Sequence, residues 1–159
     1  MDLKVKILIE RAENELLASR ALKMMSEDVS LKNLTELPPD TTFYSAVISH
    51  AYYAIFHSAK SYLLSKNVSL PEQGQHQAVY FSFRNAVRNG DLDAELLALY
   101  EEVKIKAEAL LEIFEKEEEN RAKFTYKTVA EANKEPAESS IKNARTFFTH
   151  LRGLIENIY

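Results

Sequence analysis

The 159 residues contain no cysteine and no tryptophan, and only three glycines and four prolines. Without cysteine there can be no disulfide and no thiolate zinc site, and the chain suits a reducing cytoplasm. Sandwiches and barrels need many turns, and so few turn formers argue against them. Long apolar runs are missing too. The N-terminus, MDLKVKILIERAENE, meets Glu10 and Glu13 at once, so the expectation is neither a signal peptide nor a membrane span. Positive charge is not in excess: 20 Lys and Arg face 24 Asp and Glu, a net charge of −4. Nothing global then attracts nucleic acid, and phosphate binding would need a local patch. No P-loop, GxGxxG or nucleophile elbow occurs. His50 and His57 stand seven residues apart, about 10 Å along a helix, too far to share one ion. The expectation is no metal and no cofactor.

What the chain does have is alanine, leucine, glutamate and lysine in helical patterns. The stretch FYSAVISHAYYAIFHSAKSYLLSK, Phe43 to Lys66, carries apolar residues at Tyr44, Ile48, Ala51, Tyr52, Ile55, Ala59, Tyr62 and Leu63. That is helical spacing, and Phe43, Val47, Ala54 and Phe56 widen the apolar face. Such a helix needs neighbours on several sides, which predicts the centre of an all-α, up-and-down bundle. A first helix is expected over 2–27 and a loop over 28–40, broken by Pro38-Pro39. Asp40, Thr41 and Thr42 are the candidate N-caps of the central helix. A short helix follows over 75–88, with Val79 and Phe83 inward and Gly90 as its left-handed stop. Leu96, Leu99, Tyr100, Val103, Ala107, Leu110 and Phe114 form the seam of the next helix, which runs into the glutamates around 115–119. Pro136 fits the first turn of a last helix with the seam Ile141, Ala144, Phe148, Leu151, Ile155 and Ile158. About five helices thus make one domain over residues 1–159, with Tyr52, Ile55, Ala59, Val103, Leu110, Phe148 and Leu151 buried. Lys142, Arg145 and Arg152 share a face of the last helix and read first as a solvated surface.

Taken together, Ser49, Ala51, Tyr52, Tyr53, Ala54, Phe56 and His57, then His76, Val79, Phe83, Gly90 and Leu92, then Arg121 and Tyr126, and finally Ala144 and Phe147, carry a resemblance. The chain resembles the HEPN domain family (higher eukaryotes and prokaryotes nucleotide-binding), in particular its small stand-alone archaeal and bacterial members. The likeness is good over 41–159 and looser before. It implies a helical bundle that usually dimerises, and many members are encoded beside a small nucleotidyltransferase, in toxin–antitoxin or binding pairs. It implies nucleotide or RNA as ligand. Catalytic members are metal-independent ribonucleases with an Arg followed, four to six residues on, by a His. Here the segment reads RAKFTYKTVAEAN: Arg121 matches, no His follows, and Tyr126 stands near its place. A phenol, with an ordinary pKa near 10, does not replace imidazole as a base at neutral pH without a large shift.

The residues therefore lead to a non-catalytic binding module, with Arg121, Lys123, Tyr126, Tyr53 and His57 as candidate ligand contacts. The alternative is a ribonuclease in which Arg121 works with a His from elsewhere, His57 or His76. Arg121 itself has two readings. It can pair with Glu117 or Glu118 on a wet helix face, or hold a phosphate with its fork of donors. A homodimer is expected from the resemblance and from the breadth of the apolar faces on the central and last helices.

Overall fold

The computed structural model describes residues 1–119 and 133–159, for 111–119 the backbone alone. Six helices lie among the described residues: α1 (Leu3–Glu27), α2 (Val29–Leu34), α3 (Tyr44–Ser65), α4 (Gln75–Arg88), α5 (Ala94–Glu119) and α6 (Lys134–Glu156). No strand occurs among them. None of these helices is long and apolar enough to cross a membrane.

Helix α3 is the axis. It touches α1, α4, α5 and α6, and 13 of its 22 residues are buried. Small residues make this close approach possible: Ala51, Ala54, Ser58, Ala59 and Ser61 are all buried on it. Two hydroxyls fix its antiparallel register against α1. Ser19 Oγ donates to the Val47 carbonyl at 2.9 Å, and Ser61 Oγ donates to the Val5 carbonyl at 3.1 Å. The two bonds lie at opposite ends of the pair, so a slip of one residue would break both. The rest of the core is one large cluster, with Ile55, Phe83, Tyr100, Phe147 and Leu151 at its centre. A smaller cluster, Tyr44, Val47, Ile48, Leu110 and Ala137, closes one end.

The helix stops follow local chemistry. After α3, Asn67 takes φ +59°, and its N–H and that of Val68 bond back to the carbonyls of Leu64 and Leu63. After α4, Gly90 takes φ +82°, and Gly90 and Asp91 bond back to Val87 and Ala86. Both are left-handed stops that satisfy carbonyls otherwise left without partners.

Three expectations need correction. The segment 28–40 contains a helix. Asp28 ends α1 and caps α2 at the same time, its carboxylate accepting from the N–H groups of Ser30 and Leu31. Lys32 of that helix is buried, and its Nζ donates to the Pro39 carbonyl at 2.8 Å. Next, α3 is not capped by Asp40, Thr41 or Thr42. Its N-cap is Phe43, which has no side-chain cap; the Phe43 N–H donates instead to Ser26 Oγ of α1 at 2.8 Å. A tertiary contact sets where α3 begins. Finally, Tyr52 is only partly buried, whereas Ile55, Ala59, Val103, Leu110, Phe148 and Leu151 are buried as expected.

The broad apolar faces of α3 and α6 find their cover inside the single chain. Apart from Tyr53 on α3, exposed large apolar residues lie elsewhere, among them Leu3, Ile7, Leu17 and Met24 on α1, and Val29 and Leu34 on α2.

Candidate functional site

On α3, residues 50, 53, 57 and 60 follow steps of three, four and three, so His50, Tyr53, His57 and Lys60 share one face. That face runs along the rim of the bundle, beside α1 on one flank and the start of α4 on the other. Gly74, at φ +63°, turns the chain into α4 and places His76 in its first turn.

Five rings gather there. The His76 imidazole stacks on Phe56, with centroids 4.1 Å apart and planes at 18°. It also stacks on Tyr52 at 5.7 Å and meets the edge of Tyr53 at 5.6 Å. His57 lies 6.2 Å from Tyr53 and 5.2 Å from Phe56. The two histidines singled out in the sequence thus share Tyr53 and Phe56 as neighbours. Phe56 is buried, whereas Tyr53 is 42% exposed and offers its ring to solvent.

Both of these imidazoles are neutral at physiological pH. Burial pushes His57 down from 6.5 to about 4; Arg11, Lys60 and His76 act in the same direction, and Glu15 opposes them. Burial lowers His76 as well, helped by the Lys60 charge. Burial raises the Tyr52 phenol to about 12, so it keeps its proton. The phenol oxygen lies 3.0 Å from His76 Nδ1. With the phenol as donor in this contact, the His76 proton sits on Nε2. His57 Nδ1 is buried and has no hydrogen-bond partner among the described residues.

Cations border the rings. Lys60 Nζ lies 6.0 Å from the centre of the Phe56 ring and donates to the Gln75 side-chain oxygen at 2.6 Å. Its pKa is lowered, first by burial and then by the nearby Arg11 charge. The closest acid along the face, Glu15, is already engaged at 2.6 Å by His50 Nδ1. The sequence reading missed Lys60, Arg11, Tyr52 and Phe56 as site residues. Lys60 was within reach of it, three residues after His57 and seven after Tyr53 on the same face. Arg11 carries no such signal, since only the α1–α3 register brings it here.

Arg121, Lys123 and Tyr126 lie outside the described residues, as do Phe124 and the polar stretch 127–132, and the side chains of Phe114 and of the glutamates at 115–119 are likewise not described. On α6, Lys142 and Arg145 are exposed, and Arg152 pairs with Glu156 at 2.8 Å and Glu13 at 3.6 Å, as suits a solvated face. Among the described residues no group of His, Asp and Glu could hold a metal ion.

A platform of neutral rings next to paired cations can hold a flat aromatic group and an anion. No curated protein and no solved structure matches the chain. The sequence model of the HEPN domain matches residues 5–154, nearly the whole chain, and the chain therefore belongs to the HEPN domain family, whose functions are nucleotide- and RNA-related.

Proposed function

We propose that this protein is a non-catalytic HEPN binding module that holds a nucleotide or an RNA phosphate, acts as a homodimer and pairs with a small nucleotidyltransferase. The observation that carries the reading is the pair of histidines held neutral in an aromatic cluster. Efficient acid–base catalysis needs a pKa near the working pH, and His57 at about 4 is far below it. The Tyr126 phenol, which follows Arg121 where ribonuclease members carry His, supports the same conclusion. Arg121 supplies a planar fork of donors for a phosphate. The nucleotidyltransferase partner and the toxin–antitoxin setting rest on the family resemblance. The homodimer draws further support from the exposed apolar residues Leu3, Ile7, Leu17 and Met24 of α1.

The test is binding and cleavage on one purified sample. A labelled single-stranded RNA should bind and remain intact. Arg121→Ala should leave helicity and thermal midpoint unchanged and abolish binding of RNA, nucleotide or the nucleotidyltransferase. A variant that binds as the wild type does removes Arg121 from the site. Light scattering should give twice the chain mass at micromolar concentration, and a monomer mass would defeat the dimer.

One observation favours a second reading, a metal-independent ribonuclease. His57 and His76 converge on the same two rings, as a shared acid–base site would require. RNA cleavage that is lost in both His57→Gln and His76→Gln would establish it.

A further inference from the structure

The rim of α3 presents an exposed ring, a neutral imidazole and one positive charge in line. Tyr53 offers its exposed ring, His57 follows one turn on, and Lys60 one turn beyond that. Seven residues of helix span about 10 Å, and helical side chains lean towards the N-terminus, which brings the Lys60 ammonium back towards the rings. Its position over Phe56 shows that lean. Arg11 of α1 is close enough for its charge to act on both His57 and Lys60. Among the described residues, neither Arg11 nor Lys60 forms an ion pair with a carboxylate. Glu15, whose charge also reaches His57, is engaged by His50 Nδ1 at 2.6 Å rather than by Arg11 or Lys60; like charges drawn together are unfavourable, and an anion between them relieves the repulsion. An aromatic face beside that anion site adds base stacking, which tolerates any nucleobase.

We propose that Tyr53, Lys60 and Arg11 form a binding site for one nucleoside monophosphate unit, the base on Tyr53 and the phosphate between Lys60 and Arg11. This rests on the nucleotide-binding reading above and names contacts on described residues in addition to Arg121. The unit is either a free nucleotide or one residue of a single-stranded RNA. His76, stacked behind Phe56 and held by Tyr52, stiffens the platform without touching the ligand.

Three variants and three probes decide it. The variants are Tyr53→Ala, Lys60→Gln and Arg11→Gln, each at a side chain exposed or partly exposed, with circular dichroism to confirm the fold. The probes are a labelled ten-nucleotide single-stranded RNA, AMP and inorganic phosphate. Loss of one stacking contact weakens binding by about tenfold, which is the effect expected for Tyr53→Ala on RNA or AMP. Each lost phosphate contact lowers the slope of log K against log salt by about 0.7 on a single strand, the change expected for Lys60→Gln and Arg11→Gln. Binding of RNA without AMP identifies the unit as part of a strand; binding of AMP identifies it as a free nucleotide. Either result supports the site when the variants respond as stated. Inorganic phosphate displacing AMP at equal concentration, with Tyr53→Ala unaffected, overturns the stacking half and with it the proposal. Wild-type affinity and salt slope in all three variants overturn the proposal while the nucleotide-binding reading stands. Absence of binding to every probe by the wild type overturns both.

Discussion

Two aromatic clusters both draw on α3 and α4, the inner one adding rings from α5 and α6, and they differ in exposure, in geometry and in the charges beside them. The inner one joins Tyr62, Phe83, Tyr100 and Phe147, with centroids 5.3–6.5 Å apart and every ring at most 2% exposed. The outer one joins Tyr52, Tyr53, Phe56, His57 and His76, and only Phe56 in it is buried. The inner rings tilt against one another as core rings do. The outer rings stack around imidazoles and stop at an open tyrosine beside two cations. An aromatic cluster by itself therefore says nothing about function. Exposure, polar tips and neighbouring charge make the distinction.

The largest effect should come from the inner cluster. Phe147 is fully buried and meets both Phe83 and Tyr100. Phe147→Ala should lower stability by about 3–5 kcal/mol in chemical denaturation, the range for deleting a buried ring. Tyr53→Ala in the outer cluster should stay within about 0.5 kcal/mol of wild type, as an exposed position allows. Equal losses would erase the contrast between the clusters.

A smaller effect comes from pH. His57 titrates near 6.5 when unfolded and at about 4 when folded, so the unfolded chain binds more protons between those values. Its contribution to stability is complete above pH 6.5 and disappears as pH falls towards 4. The groups facing it are Glu15 and Arg11 of α1, Lys60 of α3 and His76 of α4. Each tenfold change in proton affinity is worth about 1.4 kcal/mol. Partial solvation of the ring screens this, and the loss should be at most about 2 kcal/mol. His57→Gln should flatten that part of the stability profile, and an unchanged slope would mean the imidazole is not held neutral.

Much of this contrast was legible in the sequence. The helical spacing of α3 pointed to its central place, and Gly90 marked a real stop. The weak points share one cause, which is tertiary contact overriding local signal. Ser26 of α1, not Asp40, Thr41 or Thr42, sets the start of α3. Asp28 serves two helices, so α2 was hidden in a polar stretch. Tyr52 sits on the apolar stripe by spacing, yet its hydroxyl turns outward to His76. Tyr53 and His57 share a face by spacing, whereas the loop after α3 brings His76 to them and the register that Ser19 and Ser61 impose brings Arg11.

Tyr100 separates the clusters in a third way. Its ring is fully buried, and its hydroxyl has no hydrogen-bond partner among the described residues. Burial pushes its pKa far above the usual phenol value. A buried donor without a partner carries its full desolvation penalty, so Tyr100→Phe should raise stability by about 1 kcal/mol. A loss instead would show that the hydroxyl is satisfied in solution.

The smallest expected effect tests the one hydrogen bond that stiffens the outer cluster. Tyr52 is the counterpart of Tyr100: a raised phenol on a partly buried ring, but with a partner, His76 Nδ1 at 3.0 Å. Tyr52→Phe keeps the ring and its stacking on His76 and removes only the donor. Water can reach this rim, so the lost bond should cost about 0.5 kcal/mol, at the low end for such bonds. The sharper readout is the His76 tautomer. With the phenol donating, the His76 proton belongs on Nε2; without it, Nδ1 is free to carry the proton and the two tautomers should mix. Nitrogen NMR on labelled histidine distinguishes them at pH 7, where the lowered pKa keeps His76 neutral. A variant in which His76 remains wholly Nε2-protonated would show that Phe56 stacking, not Tyr52, fixes the ring.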